Sequence, residues 1–209
     1  MTSNTGVWYS RVMVDSTLIK PFTSEQALND LPAAGAGSKN NKAGIAQPRD
    51  AFSDVIFGIY RDQKLKAQPD IFNGPYGLVV SRAVADVFRE ADLGKTQLYP
   101  LKLCQHDRVT PVEGEYFTLA LGEQKTVFVP EQSKGIEALG NTPEIWIHLG
   151  NKPNDFDYFV SSDALGGPDL WTDPQLHRSL FLSDRLVKAL RAAKLTRRFG
   201  LSKCKVISA

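Results

Sequence analysis

Leu180-Phe181-Leu182-Ser183-Asp184-Arg185-Leu186-Val187-Lys188-Ala189-Leu190 decides how this chain is read. It opens as a short apolar strand and passes through one serine. It then continues with Leu186, Val187, Leu190 and Ala193 on one face at the helical period. The same sentence is written 102 residues earlier, in Leu78-Val79-Val80-Ser81-Arg82-Ala83-Val84-Ala85-Asp86-Val87-Phe88. Ser81 superposes on Ser183, Val84 on Leu186, Phe88 on Leu190, Ala91 on Ala193 and Leu93 on Leu195. Each copy reads strand, serine cap, amphipathic helix, leucine, strand. Units of this kind bury the helix's apolar face against a sheet, so the expected class is α+β, with mixed or antiparallel sheets and a few amphipathic helices.

Working outward, the elements weaken. Gly6 to Val14 is β-branched and aromatic and predicts a strand. Ser24 predicts a cap for a short helix from Glu25 that Pro32 stops. Residues 32–48, small and polar without a period, read as a flexible loop. Residues 52–60 predict a strand, and Gln97 to Leu103 another, placed at a sheet edge by Pro100. Residues 115–121 and 125–129 read as a hairpin across Gly122-Glu123-Gln124, and residues 144–149 as a half-buried strand. The organisation expected is an N-terminal strand and helix region over 1–70 and an α+β domain over 71–209, with one continuous domain as the alternative.

The chain has 209 residues, enough to bury about 70% of its unfolded surface without disulfides or metal. Its net charge of +2 announces neither a nucleic acid nor a membrane. The charge is uneven: residues 178–209 carry nine basic side chains against Asp184 alone, which leaves −6 for the first 177. No apolar run approaches the ~18 residues of a membrane span. Residues 1–14 lack the apolar core of a secretory leader, so a cytoplasmic protein is expected.

Catalytic patterns are sought and not met. VVSRA and LFLSD lack the glycines of a nucleophile elbow, so Ser81 and Ser183 are read as helix caps. His106, His148 and His177 have no partner at metal-ligand spacing, and Cys104 and Cys204 form no CxxC. Neither Walker A nor GxGxxG occurs. No catalytic residue, cofactor or metal is therefore assigned. Between Asn154 and Asp173 acids and aromatics alternate, and Asp155, Phe156, Asp157, Asp169, Trp171 and Asp173 are the expected contact surface for a basic partner. The basic arc Arg185, Lys188, Arg191 and Lys194, followed by Arg197-Arg198, is the competing surface. It would suit phosphates, but it lacks aromatic interleaving and any nucleic-acid-binding signature. A small enzyme, with its pocket around Cys104 and His106 or among the aspartates, is the third reading.

Gly74-Pro75-Tyr76, Val79-Val80-Ser81, the strand Leu98 to Leu103, Tyr116-Phe117, Asp169-Leu170-Trp171 and the run from Ser179 to Leu195 together resemble a bacterial immunity-protein family, found beside polymorphic or type VI secretion toxins and once known only as a domain of unknown function. The resemblance covers about residues 70–207 and is strongest in the tail. It implies a non-enzymatic cytoplasmic protein that binds a cognate toxin and occludes its active or substrate-binding site. The lack of a secretory leader suggests further that this toxin acts in the cytoplasm, as a nuclease or another enzyme, such as one that targets nucleotides or NAD, would.

Overall fold

The computed structural model describes residues 5–140, 142–150 and 152–208. Residues 1–4, part of the stretch read for a leader, lie outside them. In chain order the elements are β1 (Val7–Ser10), β2 (Phe22–Thr23), α1 (Glu25–Asn29), α2 (Leu31–Lys42), β3 (Val55–Gly58), β4 (Ile71–Gly74), β5 (Gly77–Ser81), α3 (Arg82–Arg89), β6 (Gln97–Cys104) and β7 (Tyr116–Ala120). They continue with β8 (Ile136–Leu139), β9 (Thr142–His148), β10 (Phe159–Ser161), β11 (Leu170–Trp171), β12 (Phe181–Ser183), α4 (Asp184–Ala192), β13 (Leu201–Lys203) and β14 (Lys205–Ile207). The fold is α+β. Among the described residues no helix is long and apolar enough to cross a membrane.

Two sheets carry the architecture. One has six strands in the order β2-β3-β6-β7-β5-β4, and the other four in the order β11-β12-β1-β13. The duplicated sequence is duplicated in space. In the first unit β4 pairs antiparallel with β5, and β7 lies antiparallel between β5 and β6. In the second, β11 pairs antiparallel with β12, and β1 lies antiparallel between β12 and β13. The strand that completes the second unit thus comes from the other end of the chain.

Side-chain chemistry repeats with the strands. The Ser81 hydroxyl accepts from Val84 N–H and donates to Asp70 at 2.8 Å, while Ser183 accepts from Leu186 N–H and donates to Asp169 at 2.5 Å. The Arg89 guanidinium lies 4.6 Å from the centre of the Phe117 ring on β7, and Arg191 lies 4.3 Å from that of Trp8 on β1. Arg89 and Arg191 are again 102 residues apart. Alternation along the strands explains the layers. Leu78 and Val80 of β5, Trp8 of β1 and Leu182 of β12 share one core with Val84, Phe88, Leu186 and Leu190 of the helices. The opposite faces, through Val79 and through Tyr9 and Phe181, build two further cores.

Several expectations are corrected. Of the two organisations the sequence leaves open for 1–70 and 71–209, the strand pairing favours the continuous one, because β1 is an inner strand of the C-terminal sheet and β3 pairs with β6. Residues 32–42 are not a loop but lie in the helix Leu31–Lys42, and the irregular stretch is confined to 43–48. Pro32 starts that helix, sitting in its first turn where no N–H is required, and Asp30 caps it through Ala33 N–H. The strand expected over Gly6 to Val14 ends at Ser10, whose hydroxyl caps a tight turn over Arg11–Met13. Strand β6 is internal, although β3 pairs only Lys102–Cys104, so at Pro100 a single neighbour lies alongside. No hairpin crosses Gly122: residues 127 and 128 instead direct their N–H groups to the Asp173 carboxylate.

The two caps differ in depth, since Ser183 is 1% exposed and Ser81 half-exposed. Ser183→Ala removes one of the donors to the buried Asp169 as well as the acceptor of a helix N–H, and is expected to cost about 1–2 kcal/mol in urea unfolding. Ser81→Ala, whose cap bond is 3.5 Å long, is expected to cost under about 1 kcal/mol.

Candidate functional site

The acidic and aromatic residues between Asn154 and Asp173 do not form one surface. Asp169 and Asp173 are each 1% exposed and Trp171 is fully buried. Asp169 belongs to the second unit's cap: it accepts from Ser183, from Arg185 at 2.7 Å and from the Asp92 N–H. Asp173 takes the N–H groups of Val127, Phe128 and Gln175, and burial still raises its pKa above the usual carboxylate range. Trp171 stacks on Phe181, and the Lys125 ammonium sits 3.7 Å above its ring. These three residues hold the fold and cannot meet a partner as it stands.

Asp155, Phe156 and Asp157 stay at the surface, in a loop tied to β13. The Asp155 carboxylate accepts from Lys203 N–H, the Phe156 N–H donates to Lys203 C=O at 2.6 Å, and Asp157 accepts from Asn154 N–H. Phe156 has φ +70°, a conformation that costs a residue with a Cβ about 1–2 kcal/mol, and the residue is 51% exposed. The two acids therefore serve as the frame that displays the ring.

The basic C-terminal arc is largely engaged within the molecule. Arg185 pairs with Asp169, Lys188 with Asp184 at 2.7 Å, and Arg191 lies on Trp8. The thiol reading also fails on geometry. Cys104 is fully buried and Cys204 is 3% exposed, and burial pushes both thiols up, away from the thiolate a nucleophile needs. His106 Nδ1 lies 3.1 Å from the Gly58 carbonyl, and His148 Nδ1 2.5 Å from the buried Tyr158 hydroxyl. Among the described residues no group of three or more His, Cys, Asp or Glu is placed to hold a metal ion.

The feature that the sequence did not disclose is a cavity of about 600 Å³ under α2. Its floor joins the equivalent turns of the two units: Pro75 from the first, and the segment from Thr172 to Ser179 from the second. The second turn is longer, because fourteen positions separate Asp169 from Ser183 where eleven separate Asp70 from Ser81. Lys39, Lys42, His177 and Arg178 stand around it. The signal that could have found it is Asp30-Leu31-Pro32, a cap followed by a first-turn proline.

No family model and no curated protein matches the chain.

Both cysteines are expected to resist a thiol reagent such as Ellman's at pH 8 in the native protein and to react fully in denaturant. Rapid native labelling of Cys104 would restore the thiol reading.

Proposed function

We propose that this protein is an immunity protein, a non-catalytic binder that neutralises a cognate secreted antibacterial toxin by covering its active or substrate-binding site. The observation that carries the reading is Phe156, an aromatic residue held half in water on a backbone that disfavours it. Both costs are offset when a partner covers the ring, and buried aromatic anchors ringed by polar groups dominate protein interfaces. Asp155 and Asp157 lie beside it and suit a toxin whose substrate-binding surface is basic, as a nuclease's would be. The resemblance of residues 70–207 to immunity proteins supports the same conclusion. So does the internal engagement of Arg185, Lys188 and Arg191, which leaves the C-terminal helix a poorer surface for nucleic acid. The protein acts in the cytoplasm, alongside the toxin's target.

The test is co-expression with the gene adjacent to its own. That gene alone should be toxic, and this chain should restore growth. Phe156→Asn tolerates the left-handed backbone, so it should keep the fold while weakening binding at least about tenfold and reducing protection. A harmless neighbour, or full protection by Phe156→Asn, would contradict the proposal.

A further inference from the structure

We propose that the cavity beneath α2 is a preformed site for a small organic anion, a carboxylate carried on an apolar chain or ring. The inference is independent of the toxin-binding reading, and no residue of the Phe156 loop lines the cavity.

The space is built rather than left over. The face of α2 turned to it carries Ala34, Gly35 and Ser38, and a Cβ added at Gly35 would meet nothing within 4 Å. The helix cannot settle onto the floor, because its far end is fixed. Asn41, fully buried, donates to the Tyr76 and Leu119 carbonyls and accepts from Leu121 N–H, and Thr172 Oγ1 and Gln124 Nε2 both donate to the Ala43 carbonyl. At Gly77, φ is +124° and a Cβ would meet Asn41 Nδ2 at 2.8 Å, so glycine is what lets the anchor approach. Preformed, mostly apolar cavities of about 300–1,000 Å³ with a few polar groups at defined points are the usual form of small-molecule sites.

Charge selects the class of ligand. Lys42 is half-buried, while Lys39, His177 and Arg178 are exposed, and among the described residues none of the four has a carboxylate ion-pair partner. Asp173 is the acid in the lining, and its oxygens are already taken by three backbone N–H groups. Burial and the neighbouring Arg178 both lower the pKa of Lys42, and the same two causes lower that of His177. An anion placed between Lys42 and Arg178 would relieve that repulsion. Arg178 itself is held at φ +52°, away from the ordinary backbone region. The walls, from Leu31, Ala34, Pro75, Ile145 and Leu176, offer nothing to a second charge, so the rest of the ligand is apolar.

The probe is 8-anilinonaphthalene-1-sulfonate, titrated into the purified full chain with decanoate and decanol as competitors. Saturable binding of one probe per chain is expected, displaced by decanoate at least about tenfold better than by decanol. Gly35→Leu fills open space and raises helix propensity, so it should keep the urea midpoint while weakening the probe at least about tenfold. Lys42→Met with Arg178→Met should weaken decanoate by a similar factor and leave decanol unchanged. Absence of saturable binding, equal displacement by decanol, or unaltered binding by Gly35→Leu would each overturn the proposal. Gly35→Leu should still protect against the toxin. Loss of protection in that variant would assign the cavity to the partner protein and overturn the small-molecule reading, whereas failure of the Phe156 test alone would leave it standing.

Discussion

The structure depends on the backbone pairing of Val7–Ser10 with strands nearly the whole chain away. Trp8 stands opposite Leu182 on one side and Lys203 on the other. Without β1, the strands β12 and β13 would face each other across an empty strand position, their N–H and C=O groups unpaired, and buried backbone groups do not stay so. The first unit solves the same problem with β7, which follows β6 directly in sequence. The second borrows its central strand from the other terminus. Closing so long a loop is entropically costly, so this sheet is expected to form late in folding.

What β1 holds extends to the surface. Trp8 donates from Nε1 to Asp184 at 3.0 Å and carries Arg191 on its ring, which fixes the start and the far end of α4. Lys203, paired with Trp8, supplies both backbone bonds that frame the Phe156 loop. The excess of basic residues in the tail is thus used largely within the molecule. Arg185 and Lys188 meet acids, and Lys205 lies 5.3 Å from the Phe159 ring centre. Arg178, the first basic residue of the tail, stands instead with Lys39, Lys42 and His177 around the cavity under α2, a surface to which net charge gives no clue.

Local signals were legible and long-range ones were not. The serine caps, both amphipathic helices and the 102-residue offset follow from spacing alone, because capping and helical period are decided within a few residues. The strand character of residues 7–10 was legible too, but no local pattern names its partners. Helix α2 was missed because its inner face is made of small residues, so it has no apolar stripe to detect. The apparent hairpin around Gly122 failed because Val127 and Phe128 are committed to Asp173 and to the core around Tyr158 and Trp171. The acidic stretch misled for a related reason. Asp169 and Asp173 look like surface acids in sequence, yet each is buried as the acceptor that ties a turn together. Phe156 was legible as an aromatic among acids, while its exposure and positive φ required the structure.

The sheet closed by β1 is proposed to hold the Phe156 loop ready for a partner. Amide hydrogen exchange, followed in the free protein and in its complex with the product of the adjacent gene, tests it most directly. The account predicts that β1, β12 and β13 exchange slowly as one cooperative block in the free protein, and that residues 154–158 gain protection in the complex. Fast exchange of β1 independent of its neighbours, or protection confined to the outer face of α4, would contradict it.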